Sequence, residues 1–99
     1  MTTTSEIESS DAELAAREAQ EFARWRERRS LARKKLALLT PREHEIAMIT
    51  AQGINSREAA LALKISVKTV EKHRASAYRR LHVSGVIGLV RLIIEAEQD

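Results

Sequence analysis

The stretch SVKTVEKHRASAYRRL, residues 66–81, constrains this chain more than any other. At 100° per residue, Val70, Ala77 and Leu81 share one stripe, while Lys68, Lys72, Ala75 and Arg79 fall on the opposite side. So narrow an apolar stripe is stable only against packed companions. Ser66 is placed as its N-cap, the side-chain oxygen accepting from an orphan N–H of the first turn. Such a helix holds cations and small side chains outward and fits the major groove of B-DNA. The plain alternative is a solvated face, and the neighbouring segments decide between the two.

Those neighbours are punctuated clearly. In Thr40-Pro41-Arg42-Glu43, Thr40 caps, Pro41 sits in the first turn where no useful N–H is lost, and Glu43 closes the capping box. The helix that follows carries Ile46 and Ile49 inward and is predicted to end at Gly53, in the left-handed position past its C-terminus. Asn55 and Glu58 form a second capping pair that opens a short helix through Leu63, with Ala59, Ala60 and Leu63 free to pack. Ile65-Ser66 is then the tight connection into residues 67–81. Two helices joined by about four residues have the spacing of a helix-turn-helix.

Downstream, His82-Val83 is a turn, and Ser84 is expected as the cap of a last helix reaching about Ala96. Val86, Leu89, Val90 and Ile93 make its main stripe, yet Ile87 and Ile94 lie roughly 90° away and Leu92 lies on the other flank. One small domain cannot cover all of these, and an apolar excess on a surface helix marks an interface. The expectation is a homodimer contact through Ile87, Arg91 and Ile94. The competing expectation is that an N-terminal helix folds back over it.

Upstream, residues 1–10 read as a disordered tail of Thr and Ser with two Glu. Residues 11–38 contain no Pro or Gly and are dominated by Ala, Glu, Arg, Lys and Leu, a strongly helical composition. Ser10 or Asp11 is the expected cap. Phe22, Trp25, Leu36 and Leu39 fit a heptad seam that Glu18 and Arg29 interrupt. A long helix is expected, docking locally or pairing with its own copy through Phe22 and Trp25.

The net charge of +3 hides a strong polarity. Residues 1–23 carry −5, residues 24–39 carry +6, and residues 40–99 carry +2. A basic middle points to an anionic partner. With no cysteine, disulfides and thiolate chemistry are excluded. The polar start, MTTTSEIESS, argues against a signal peptide and no run approaches a membrane span, so the expected setting is cytoplasmic, without a membrane partner. His44, His73 and His82 lack the i, i+4 spacing of a helical metal site, and the three glycines build no phosphate loop. No enzyme, cofactor or small-molecule ligand is expected.

The motifs LTPREHEI at 39–46, AQGINSREAA at 51–60, ISVKTVEKHRA at 65–75 and LVRL at 89–92 resemble the DNA-binding domain of LuxR/FixJ-type bacterial transcription regulators. The basic, Ala-rich helix before Leu39 is similar to the linker helix of FixJ-like response regulators. Their receiver domain is not in the chain, so the expectation is a stand-alone regulator or a piece of a larger one.

The resemblance implies an all-α fold: a four-helix LuxR-type domain over 39–97 preceded by a linker or dimerisation helix over 11–38. It implies that residues 67–81 are the recognition helix and 85–96 the dimer helix. It places Glu71, Lys72 and Ala75 at base edges, and Lys68, Thr69 and Arg74 near phosphates; Arg79 joins the phosphate group from its place on the cationic face. Leu61 and Ala62 stand where relatives commonly carry arginines, Glu71 replaces a common lysine, and Lys64 and His82 replace turn glycines. Gly88, inside the last helix, is expected to weaken it by about 1 kcal/mol relative to Ala.

The expected function is sequence-specific binding of double-stranded DNA by a homodimer on an inverted repeat, regulating transcription. The rival expectation is an interaction module that binds another regulator or RNA polymerase.

Overall fold

The computed structural model describes residues 3–98, with side chains from Ser10 onward. Five helices follow in order: α1 (Thr3–Ala37), α2 (Pro41–Ala51), α3 (Ser56–Leu63), α4 (Val67–Leu81) and α5 (Val86–Glu97). The all-α, four-helix domain with a long helix in front of it is therefore as expected. The molecule is elongated, 75 × 21 × 20 Å, because α1 runs far beyond the other four.

Local signals account for most of the boundaries. The Thr40 side chain accepts from the Glu43 amide at 3.2 Å and Glu43 Oε1 accepts from the Thr40 amide at 2.9 Å, completing the capping box. Gly53 adopts φ +86°, past the end of α2. Asn55 accepts from the Glu58 amide at 2.9 Å, and Ser66 from the Thr69 amide at 3.0 Å. Lys64 and His82 close α3 and α4 in the left-handed region, with φ of 57° and 55°.

Two boundaries differ from expectation. Helix α1 starts at Thr3, ahead of both Ser10 and Asp11, and takes in most of the expected tail; Met1 and Thr2 lie outside the described residues. No Pro or Gly interrupts the backbone ladder between Thr3 and Ala37, so nothing stops it at residue 10. The cap of α5 is Gly85 rather than Ser84, and no side chain caps its N-terminus.

The core has two parts, joined by α4. Val70 packs with Ile46, Ala59 and Ala60, closing α2, α3 and α4 together. Ala77 and Leu81, further along the same stripe, pack with Ala32, Leu39, Ala47, Leu89, Leu92, Ile93 and Ala96. The second half of α1 thus folds back on α5, burying Leu92 and Ile93 through Ala32 and the half-buried Leu36. It covers only one flank of α5. Ile87 and Ile94, on the other, remain 75% and 51% exposed.

Polar side chains fasten this packing at the end of α5. Arg33 Nε donates to the Ala96 carbonyl at 2.7 Å, Arg29 Nη1 to the Gln98 carbonyl at 3.3 Å, and Trp25 Nε1 to Gln98 Oε1 at 2.8 Å. Trp25, Arg29 and Arg33 are spaced i, i+4, i+8 along one row of α1, and the guanidinium of Arg29 stacks 4.8 Å over the Trp25 ring. Two cations therefore meet carbonyls at or just past a helix C-terminus, where the macrodipole favours positive charge.

Candidate nucleic-acid interface

With Val70, Ala77 and Leu81 turned into the core, the opposite face of α4 has to face solvent. Lys68, Glu71, Lys72, Ala75 and Arg79 are all exposed there. They form one strip along a rod held from behind by α2 and α3. Thr69 is half-buried at the start of the strip, its hydroxyl 2.7 Å from Ser66 Oγ.

Arg74 sits at the flank, half-buried, and Nη1 donates to Ser56 Oγ at 2.8 Å. That bond ties the middle of α4 to the first turn of α3 and fixes the guanidinium beside a shallow recess lined by Asn55, Ser56, Arg57, Val67, Glu71 and Arg74. Helices α3 and α4 both begin at this recess, so their unpaired N–H groups add positive potential to that of Arg57 and Arg74.

The adjacent arginines 79 and 80 separate in role. Arg79 is exposed. Arg80 Nε lies 2.9 Å from one oxygen of the Glu43 carboxylate and 3.1 Å from the other. Glu43 is 3% exposed. Burial alone would push its carboxyl up, but hydrogen bonds from Ser76, the Thr40 amide and Arg80, with the charge of Arg80, bring it down to about 2. Sequence reasoning gave Glu43 only its capping role and missed Arg80; the pairing depends on how α2 crosses α4, which no local pattern reports.

The other expected site residues lie elsewhere. Ile87, Arg91 and Ile94 share the outer face of α5. Phe22, 58% exposed, stacks on Trp25 with centroids 5.5 Å apart, while the Trp25 indole is engaged by Gln98. Trp25 is thus half-buried within its own chain and Phe22 remains open.

Helix α3, the turn at Lys64–Ser66 and α4, with a cationic strip presented by the second helix, define a helix-turn-helix protein. The chain belongs to the luxR family of bacterial regulatory proteins, whose description matches residues 37–93. It is 38% identical to the tetrathionate response regulatory protein TtrR of Salmonella typhimurium over 66 residues, covering 63% of this chain and 32% of that one. It is 40% identical to the transcriptional regulatory protein UhpA of Escherichia coli over 57 residues, 58% of this chain and 29% of that one. The chain spans about a third of the length of these relatives. Among solved structures, full-length FixJ from B. japonicum is similar with a TM-score of 0.73 and 25% identity, over 92% of this chain and 45% of FixJ.

Proposed function

We propose that this protein binds double-stranded DNA in a sequence-specific manner and regulates transcription, as a homodimer on an inverted repeat. The observation that carries the reading is the strip of Lys68, Lys72, Ala75 and Arg79 on α4, free along its length because Val70, Ala77 and Leu81 are buried behind it. Glu71, Lys72 and Ala75 face base edges, Lys72 reading guanine and Glu71 accepting from a cytosine amino group. Lys68, Thr69, Arg74 and Arg79 set the register on phosphates. The exposed α5 face of Ile87, Arg91 and Ile94, with Phe22 and Trp25 on α1, supplies contacts between the two copies. Membership of the luxR family and the name of UhpA support the transcriptional part of the reading.

A second reading, an interaction module for another regulator or RNA polymerase, draws on Leu61, 77% exposed on α3, and on the open Ile87. Fluorescence titration of labelled random and selected duplexes at two salt concentrations separates the two. DNA reading requires tighter binding to the selected duplex and a steep loss of affinity with salt. Absence of binding to either duplex at low salt would leave the second reading.

A further inference from the structure

From Ser10 to Arg24, α1 is not packed against any other helix among the described residues. Every residue from Ser10 to Arg24 is exposed, and neither ion pair among the described residues involves α1. Overlapping the row that docks on α5, with which it shares Arg29 and Arg33, one flank of α1 carries Asp11, Ala15, Glu18, Phe22, Arg26, Arg29 and Arg33. The steps between them run 4, 3, 4, 4, 3, 4, about 3.7 residues per turn and so close to the helix's own period, and at 100° per residue all seven fall within an arc of about 80°. The spacing is symmetric about Phe22. The charge is antisymmetric: two acids flank an alanine on the N-terminal side, and three arginines stand on the other.

We propose that a second copy of this chain docks on this flank, its α1 running antiparallel, with the two-fold axis beside Phe22. In that register Glu18 of each copy lies level with Arg26 of the other, Asp11 with Arg33, and Ala15 with Arg29. A parallel pair would set acid against acid and arginine against arginine. The whole helix has the same sense, −5 over residues 1–23 and +6 over 24–39.

Phe22, the one large apolar side chain in the arc, is 58% exposed and meets its own symmetry mate at the centre. Ala15 leaves room for the aliphatic stem of Arg29. Arg33 uses Nε on the Ala96 carbonyl and keeps its other N–H groups for a carboxylate. Ala32, where α1 is anchored in the core, is ten residues from Phe22. The two anchors therefore stand about 30 Å apart along the pair. The inference rests on the homodimer reading only in taking a second copy as the occupant, and is independent of what α4 binds.

Sedimentation of the full chain without DNA tests it. The dimer should dissociate as salt rises. Glu18→Arg alone and Arg26→Glu alone should each weaken it roughly tenfold, and the double variant Glu18→Arg/Arg26→Glu should restore it, since the exchanged pairs stay complementary only in antiparallel register. The chain has no cysteine, so a mixture of Glu18→Cys and Arg26→Cys proteins should form a mixed disulfide faster than either variant cross-links to itself. Preferential self-cross-linking of Glu18→Cys overturns the antiparallel pair. A dimer indifferent to both charge reversals but broken by Ile87→Asp overturns this inference and leaves the homodimer reading standing; a monomer at low salt overturns both.

Discussion

The Glu43 carboxylate, buried in the first turn of α2, lies 2.9 Å from Arg80 Nε in the last turn of α4. It also accepts from the Thr40 amide. One carboxylate thus starts α2 and locks it to the helix that presents the cationic strip.

That lock predicts acid sensitivity. The Glu43 carboxyl is lowered from 4.5 to about 2. A group whose folded pKa is depressed contributes stability that is complete above its unfolded value and is lost as pH falls through the folded one. Its share, on the order of 3 kcal/mol, should therefore disappear between about pH 4.5 and pH 2. Glu43→Gln should lose a similar amount at neutral pH and flatten that part of the profile. Urea unfolding followed by circular dichroism across this range measures both.

The two neighbouring arginines should respond differently to truncation. Arg79→Ala should leave stability within about 0.5 kcal/mol of the parent and weaken binding to every duplex alike, reducing the salt slope by about one unit. Arg80→Ala should lower stability, because it strips the buried Glu43 of its charged partner. Thermal unfolding and anisotropy titrations on the same preparations give the comparison.

Lys72→Ala should relax preference at one position of the selected duplex, costing about 1–3 kcal/mol there, with little effect on random DNA. Competition against single-base variants of the selected duplex reads this directly.

Lys64 and His82 hold left-handed φ values at the ends of α3 and α4. Glycine takes that conformation without the Cβ penalty. Lys64→Gly and His82→Gly should each stabilise by roughly 0.5–1 kcal/mol, seen as a rise in Tm.

Gly88 should behave in the opposite way to its helical position. Ala for Gly inside a helix ordinarily gains about 1 kcal/mol. A Cβ there would stand 3.1 Å from Val83 Cβ and 3.3 Å from its Cγ1, and Val83 is packed against the core. Gly88→Ala is expected to lower Tm slightly; a clear rise would show that Val83 moves aside.

Much of this arrangement is legible in the residues because the signals act over three or four positions. The caps at Thr40, Asn55 and Ser66 and the outward turn of Lys68, Lys72 and Arg79 follow from helix geometry, while the turn positions of Lys64 and His82 come only through the resemblance, which sets glycines there. What escapes is set by how helices cross. Nothing in the order of residues says that Arg80 rather than Arg79 reaches Glu43, or that Arg74 finds Ser56. The α5 surface shows the same limit: its apolar excess marks an interface, and the structure divides that excess between α1 on one flank and open solvent at Ile87 and Ile94 on the other.

Trp25 is the single tryptophan of the chain, and its indole N–H is held by Gln98. Lifting α1 away from α5 breaks that bond and hydrates the ring. The molecule therefore carries its own optical gauge: the colour and quenching of its ultraviolet emission report, without any label, whether the long arm is down on the domain or has swung free.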